Sequence, residues 1–355
     1  MATEPSLRSV RRCWCGNAAL VPFGADYGEC RSCGTLVLQR ELPADAASVT
    51  DDEQDFYGKQ YWLQHQNKDF GYPDIFTRVR SDLAERNLHW LKALLKFRLP
   101  PAEVLELGCA HGSFVALMRQ AGFHAAGTEM SPWVVDFARK TFAIPVYAGP
   151  VESLDLPAAS LDCIALMDVL EHLPEPAATM RRCLELLKPD GLLLIQTPCF
   201  IEGRSHEALV ATNSPFLEQL KTDEHLFLFS QRSVADFFRR LGAEHIRFEA
   251  AIFSQYDMFF VASRTPLVEN AAKDIDSALT ATPNGRIALA LLDLEAQLLG
   301  RIGKQGKRIE ELEHLVWLTE QNRDAWKQQA EQLQQAMTEL QARWWYRIAK
   351  RLKAR

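Results

Sequence analysis

Short apolar runs alternate with amphipathic segments from residue 103 onward. This alternation is typical of a mostly parallel sheet whose strands are joined by helices. We predict strands at 103–107, 124–129, 145–148, 162–167, 192–197, 245–250 and 258–263, and helices at 112–121, 132–142, 176–187 and 231–241. The pattern therefore predicts an α/β domain with a doubly wound, mostly parallel, seven-stranded sheet.

Helical spacing is found on both sides of this domain. Apolar positions between 75 and 97 recur every three or four residues and predict one helix. Two series with a period of seven follow near the C-terminus: Ile302, Ile309, Val316, Arg323, Ala330 and Met337, and Leu312, Thr319, Trp326, Leu333 and Leu340. Such heptads predict a coiled coil that makes a homo-oligomer. A single long helix packed on the globular part is the alternative.

These patterns divide the chain into six segments. We expect a cysteine-rich module at 1–42, a linker and helical cap at 43–100, the α/β domain at 101–265 with an insertion at 199–229, a helical linker at 266–300, the coiled coil at 301–342 and a basic amphipathic tail at 343–355.

The net charge and the distribution of basic residues indicate which binding partners the surface suits. The 355 residues carry a formal net charge of −6, which argues against a surface built throughout for nucleic acid. The segment 343–355 has six basic residues and no acidic one, and on a helix Trp345, Ile348 and Leu352 share a face. This composition favours peripheral contact with an anionic inner membrane surface, and a solvated basic helix end is the alternative.

The expected role of the cysteines depends on whether the protein lies in a reducing compartment. Residues 1–12 are polar and no apolar stretch reaches about 18 residues, so we predict a cytoplasmic protein. In a reducing compartment Cys13, Cys15, Cys30 and Cys33 are expected to bind structural zinc as a zinc-ribbon-like module, and reduced thiols without metal are the alternative. The other four cysteines are single and are expected to be core residues.

The chemistry of the chain is concentrated in one strand-turn-helix segment at 104–114. For a dinucleotide fingerprint glycines should stand at 108, 110 and 113, but these positions hold Gly, Ala and Ser. Glu106, two residues before Gly108, suits a cationic ligand better, because a carboxylate attracts an ammonium or sulfonium group.

At this point the sequence resembles the class I methyltransferases, whose first motif is written here as Glu106-x-Gly108-x-Ala110-x-Gly112. The resemblance implies a Rossmann-like domain that binds S-adenosylmethionine. It implies that Glu129 accepts the ribose hydroxyls, that Val151 and Glu152 border adenine, and that the fourth strand ends at Met167. The further cofactor-binding positions that it implies are Cys109, Met130 and Met167.

The cysteine module, the aromatic segment at 56–62 and Asp223-Glu224-His225 together resemble zinc-module methyltransferases that act on nucleotide-linked deoxysugars and in surface-polysaccharide pathways. That resemblance covers residues 13–262 and implies a sugar or glycan acceptor. It makes His225 the candidate general base, oriented or charge-stabilised by Glu224, with His172 as a second candidate.

Other interpretations stay open. Where the sugar C-methylating members have a tyrosine before the Glu-His pair, this chain has Thr222, so both O- and C-methylation are considered. RNA methylation is a second enzyme class, although the acidic globular part makes a nucleic-acid partner a poorer expectation. A cofactor-binding scaffold without catalysis is the non-enzymatic alternative.

Overall fold

The computed structural model describes residues 11–40 and 49–353, without the side chains of residues 69, 70, 321, 340 and 342–353. The chain divides into two compact units, Met1–Leu292 and Asp293–Arg355. The side chains of the predicted amphipathic tail at 343–355 lie outside the described part, so the membrane contact stays a prediction.

The first unit contains two sheets and most of the helices. The strands are β1 (Leu20–Phe23), β2 (Tyr27–Cys30), β3 (Leu36–Leu38), β4 (Glu103–Leu107), β5 (His124–Glu129), β6 (Val146–Ala148), β7 (Leu161–Met167), β8 (Leu187–Pro198), β9 (Phe227–Leu228), β10 (His245–Glu249) and β11 (Asp257–Ser263). The helices are α1 (Gln66–Phe70), α2 (Ile75–Asp82), α3 (Leu88–Phe97), α4 (Ser113–Gln120), α5 (Pro132–Phe142), α6 (Pro176–Leu186), α7 (His206–Ala211), α8 (Gln231–Arg240), α9 (Ala272–Thr280) and α10 (Pro283–Lys353).

The larger sheet has the strand order β10-β11-β8-β7-β4-β5-β6. Its strands β4 to β8 pair in parallel, and β11 is antiparallel to both of its neighbours. The seven-stranded, mostly parallel sheet predicted from the alternation is therefore confirmed.

Alternate residues of the central strands enter different cores, which explains the continuous apolar runs. In β7, Ile164 and Leu166 belong to one core, and Cys163 and Ala165 belong to the other. All four are fully buried. A strand that is covered on both faces has to be apolar at every position, and helices on both faces make the sheet doubly wound.

The smaller sheet joins the cysteine module to the insertion. Its strand order is β1-β2-β3-β9, and all of its pairings are antiparallel. The insertion at 199–229, which the sequence predicts to be irregular, thus contributes strand β9 as well as helix α7 and a 3₁₀ turn at Pro215–Gln219.

Two further boundaries differ from prediction. Strand β8 begins at Leu187, so Lys188–Gly191, which lies between the predicted helix at 176–187 and the predicted strand at 192–197, is part of the strand. The pairing with β7 is irregular there, because Leu161 pairs with Leu187 but Cys163 pairs with Leu192. The predicted helix over 75–97 is continuous but passes through a π-helical turn at Leu83–Asn87.

Helix α10 runs without interruption through Gly300, Gly303 and Gly306. In the single chain its apolar heptad positions are open to solvent, with Ile302 62% and Val316 59% exposed. Through the described ranges 11–40 and 49–353, no helix is both long and apolar enough to span a bilayer.

Candidate active site

The cavity of interest lies at the carboxyl ends of β4, β5 and β7, where doubly wound sheets bind ligands. Its volume is about 540 Å³. The predicted residues that line it are Glu106, Gly108, Cys109, Ala110, Glu129, Met130, Val151, Glu152, Met167, His172, Glu224 and His225. The structure therefore brings the predicted cofactor and catalytic residues to one place, except that Gly112 is not among the lining residues.

The loop after β4 turns through three left-handed backbone conformations. Gly108, Ala110 and Gly112 have φ values of 63°, 48° and 82°. A Cβ atom on Gly108 would lie 2.7 Å from Cγ2 of Val169, and one on Gly112 would clash with Ile144. Gly112 thus has room only for a hydrogen atom, although it does not line the cavity. Ala110 is strained, because it has a side chain in a left-handed conformation.

Glu106 is a buried carboxyl group with an unused acceptor. Its side chain is 4% exposed, and Oε2 has no hydrogen-bond partner among the described residues. Burial, followed by the charge of Glu129, raises the pKa of Glu106 well above its ordinary value. An orphaned, buried carboxyl oxygen beside a cavity fits a ligand that supplies a cation or a donor.

Glu129 is held by backbone amides. Its Oε2 accepts from the amide of Ala110 at 3.0 Å, and its Oε1 accepts from Met130 at 2.7 Å and from Ser131 at 3.3 Å. Burial raises the pKa of Glu129, and the amides oppose that rise. A carboxylate has about four acceptor sites, so one remains, on Oε2, for a ligand hydroxyl.

Asp52 holds Ser131, whose amide donates to Glu129, and was not identified from the sequence. Its Oδ1 accepts from the hydroxyl of Ser131 at 2.6 Å, and its Oδ2 accepts from the amide of Trp133 at 2.7 Å. Asp52 thus binds the first turn of α5, about 80 residues away in the chain. No local pattern distinguishes this aspartate from the other acids of the linker.

Glu152, which we predicted on the adenine side, makes a hydrogen bond within the protein. Its Oε1 accepts a short hydrogen bond from the hydroxyl of Thr179 in α6. The carboxylate of Glu152 is therefore engaged by the protein, although the residue still lines the cavity together with Val151.

His225 is oriented by Gln219 and not by Glu224. Its Nδ1 lies 2.8 Å from the carbonyl oxygen of Gln219, so Nδ1 is the donor and Nε2 is the acceptor of the neutral ring. Burial, followed by the neighbouring His172, lowers the pKa of His225 well below its ordinary value. The carboxylate of Glu224 instead accepts from the hydroxyl of Tyr61 at 2.9 Å.

His172 lies beside His225, with ring centroids 4.9 Å apart. Its Nδ1 is 3.0 Å from the hydroxyl of Tyr57 and 3.1 Å from the carbonyl oxygen of Glu224. Burial lowers the pKa of His172 as well, so both rings favour the neutral form at pH 7. Each ring can therefore take a proton from a bound substrate.

Another part of the cavity wall contains charged residues that the sequence did not single out. Asp168 adopts φ 58° at the end of β7, accepts from Gln196 at 3.1 Å and lies 3.8 Å from Arg86. Burial and the charge of Asp168 raise the pKa of Asp257 to about 8. Arg86 also lies over the ring of Phe253. The wall thus offers acceptors, the cation of Arg86 and aromatic surface to a polar ligand.

The four N-terminal cysteines form one cluster. Their sulfur atoms all lie within 4.8 Å of one another, with Cys13 and Cys33 3.4 Å apart and Cys15 and Cys30 3.6 Å apart. Gly16 and Gly34, which follow the second cysteine of each pair, have φ values of 85° and 78°. A left-handed glycine after each cysteine pair lets the backbone turn, so that its amides can point at the sulfur atoms.

Comparison with known proteins adds to this geometry. Residues 79–247 match the family model described as a methyltransferase domain. A ubiquinone biosynthesis O-methyltransferase of Xanthomonas campestris pv. campestris (strain B100) is 33% identical over 105 residues, which are 28% of this chain and 44% of that protein. The protein of the same name from Xanthomonas axonopodis pv. citri (strain 306) is 32% identical over 129 residues, which are 33% of this chain and 54% of that protein.

Among solved structures, a SAM-dependent methyltransferase from Archaeoglobus fulgidus is 18% identical, with a TM-score of 0.40 over 51% of this chain and 93% of that chain. The chain spans about half the length of the curated relatives it matches. The family match covers the helix before β4 and the strands through β8, which include both carboxylates of the cavity. Residues 79–247 are therefore similar to a methyltransferase domain.

Proposed function

We propose that this protein is an S-adenosylmethionine-dependent methyltransferase that methylates a hydroxyl or a carbon of a sugar, either nucleotide-linked or in a growing glycan. The observation that carries the cofactor assignment is the orphaned Oε2 of Glu106, which is buried at the end of β4 beside the cavity. A cationic ligand would supply the hydrogen-bond donor and the positive charge with which this oxygen can pair.

The residues of the cavity fit that cofactor. Glu106 would bind the ammonium group, and the remaining acceptor of Glu129 would take a ribose hydroxyl. The left-handed turn at Gly108 keeps the backbone close to the ligand. When bound, S-adenosylmethionine supplies an activated methyl group for direct transfer to a nucleophile.

The work of the chain is to align the acceptor and remove its proton. His225 is the proposed base, because Gln219 holds its Nδ1 proton and leaves Nε2 free to accept. Its lowered pKa keeps the ring neutral at pH 7, which a base requires. His172 is the alternative base on the same wall.

Sugar recognition is supported by the rest of the lining. Tyr57, Tyr61 and Tyr72 contribute aromatic surface to the cavity, and Asp168 and Asp257 offer hydrogen-bond acceptors to the hydroxyls of a sugar. The charge of Asp168 disfavours an RNA acceptor, whose phosphates it would repel. The names of the curated relatives favour oxygen as the methylated atom.

A tyrosine hydroxyl lies beside Glu224, but it comes from Tyr61 and not from position 222. Thr222 accepts a hydrogen bond from Arg40 at the surface, whereas the hydroxyl of Tyr61 binds Glu224. This arrangement supplies a phenol beside the pair and keeps carbon methylation in the proposal.

The four cysteines are proposed to hold structural zinc. Four sulfurs at about 2.3 Å from a tetrahedral Zn²⁺ lie roughly 3.8 Å from one another. The pairs at 3.4 and 3.6 Å agree with that separation. All four ligand positions would be taken by protein, so the role is structural.

We propose further that α10 associates with α10 of a second copy. Its heptad positions are open to solvent in the single chain, and such a seam is covered when coiled coils form.

The function is tested by calorimetry with S-adenosylhomocysteine and by incubation with labelled cofactor and separate panels of nucleotide sugars, glycans and RNA. Label is expected in the sugar panels and not in RNA. Binding of the cofactor product without label in any panel would favour the scaffold alternative, and no binding would overturn the cofactor assignment.

A further inference from the structure

We infer that the cysteine module, defined as residues 13–38, positions the imidazole of His225, and that Tyr27 is the positioning residue through which it acts. The inference rests on the proposed function, in which His225 is the base. It gives the module a role at the active site in addition to any contribution to stability.

The first link is the strand pairing between the module and the segment that follows His225. Strand β3 pairs antiparallel with β9, with Leu36 opposite Leu228 and Val37 opposite Phe227. The amide of Leu38 also donates to the carbonyl of Leu226 at 3.0 Å. The backbone immediately after His225 is therefore part of the module's sheet.

The second link is a tyrosine from strand β2. The hydroxyl of Tyr27 donates to the carbonyl oxygen of His225 at 2.9 Å and also lies 3.2 Å from that of Lys221. The same Lys221 carbonyl accepts from the amides of Glu224 and His225. Tyr27, which is 4% exposed, thus closes both ends of the turn that carries the base.

The third link connects Tyr27 to the cysteines. Strand β2 ends at Cys30, and the amide of Cys30 donates to the carbonyl of Thr35, next to the start of β3. Cys33 lies between the two strands and its sulfur is 3.4 Å from that of Cys13. One metal ion on the four sulfurs would fix β2, with Tyr27, against β3, with its pairing to β9.

A module that only stabilises the fold and one that positions the base have different consequences. Pure stabilisation predicts that a weakened module lowers the melting temperature and leaves kcat of the folded fraction unchanged. Positioning predicts that kcat falls while the affinity for the cofactor, whose proposed ligands Glu106 and Glu129 belong to β4 and β5, is unchanged.

The test uses the full chain with Tyr27→Phe, which keeps the ring and removes the hydroxyl, and hydrogen exchange resolved to single amides. We expect the amides of Glu224 and His225 to exchange roughly five- to tenfold faster, as the loss of one net hydrogen bond implies. We also expect kcat to fall by about tenfold or more, with unchanged affinity for S-adenosylhomocysteine.

The matched control is Tyr147→Phe, which removes one hydroxyl from a 40% exposed ring on β6 that does not line the cavity. It should leave exchange and kcat unchanged. Unaltered exchange at Glu224 and His225 in Tyr27→Phe would overturn the inference, even where S-adenosylhomocysteine binds. Failure of the wild-type protein to bind S-adenosylhomocysteine would overturn the proposed function, while the exchange comparison would still decide the role of Tyr27.

If Tyr27→Phe does not fold, the metal supplies a second test on the wild-type chain. Chelation should accelerate exchange at Glu224 and His225 along with the cysteine module, and should leave β4 and β5 protected. Loss of protection confined to residues 13–38 would overturn the inference.

Discussion

The imidazole rings of His172 and His225 cross at 75° with their centroids 4.9 Å apart, and each ring is tied through Nδ1 to a backbone carbonyl. Both side chains belong to the same wall of the cavity, but they arrive there from different layers of the fold. His172 follows β7 of the large sheet, and His225 precedes β9 of the small one. Substitution can therefore separate their roles.

We predict that His225→Gln lowers kcat by about 10²- to 10⁴-fold, the usual contribution of a positioned base. His172→Gln should lower it less, and both variants should bind S-adenosylhomocysteine normally. Because the pKa of His225 is lowered well below its ordinary value, the ring stays deprotonated as pH falls through 6.5, and kcat should not decline there because of this group. A pH profile of kcat checks this, with the exposed His124→Gln as control. A larger fall in kcat for His172→Gln than for His225→Gln would make His172 the base.

Cofactor affinity should depend on the charge of Glu106. We predict that Glu106→Gln weakens binding of S-adenosylhomocysteine by about 1.5–3 kcal/mol, the range for a hydrogen bond to a charged group. The matched control is Glu103→Gln, an exposed carboxyl at the other end of the same strand. Equal affinity in the two variants would contradict the cofactor assignment.

The raised pKa of Glu106 also predicts proton release on binding. In the free protein the carboxyl retains its proton to higher pH, and an ammonium ion favours its ionised form. Affinity should therefore rise with pH until the pKa of the free protein is passed. Calorimetry in buffers of different ionisation enthalpy measures the released protons, which should disappear in Glu106→Gln.

Stability should fall toward alkaline pH because of Asp257. Its pKa is raised from 3.8 to about 8 in the folded protein, so its contribution is complete below 3.8 and is lost as pH rises through about 8. We predict that Asp257→Asn makes the melting temperature less sensitive to pH between 5 and 8. Exposed Asp136→Asn serves as control. An unchanged slope would show that Asp257 does not titrate in this range.

Metal content should follow the cysteine cluster. We predict one zinc per chain by elemental analysis, lost in Cys13→Ser together with a fall in melting temperature, since metal-binding free energy is folding free energy in such modules. Cys199→Ser, outside the cluster, should keep the metal. Equal zinc in both variants would refute the site.

The association of α10 with α10 of a second copy should depend on the apolar heptad positions, which form the seam between the two helices. Val316→Glu introduces a charge at a seam position and should dissociate the oligomer in light scattering. Leu318→Glu, on another face of the same turn and 40% exposed, should not. A monomeric wild-type chain would contradict the coiled coil.

The large sheet could be predicted because its signals are local. A buried strand, a turn of small residues and a helix follow one another within 104–114, so Glu106 was placed from its neighbours in sequence. Glu129 was found in the same way, at the end of the next apolar run.

The contacts between distant segments could not be predicted. Strand β9 has two residues and no periodicity of its own, and it exists only because β3 offers a partner. Asp52 and Asp257 acquire their roles from groups that fold against them, and nothing adjacent in sequence distinguishes them. The orientation of His225 was likewise assigned to its sequence neighbour Glu224, whereas Gln219 provides it.

The burial of the remaining cysteines gives the chain a selective chemical handle. Cys109, Cys163 and Cys183 are at most 4% exposed, and burial raises the pKa of Cys199 to about 11, which keeps that thiol protonated and unreactive near neutrality. Alkylating reagents applied to the native, metal-stripped protein will therefore reach Cys15, which is half-buried, whereas Cys13, Cys30 and Cys33 are as buried as the core cysteines. Dyes or spin labels can be attached to Cys15 without redesigning the sequence, and they would report on motions of the wall that carries His225.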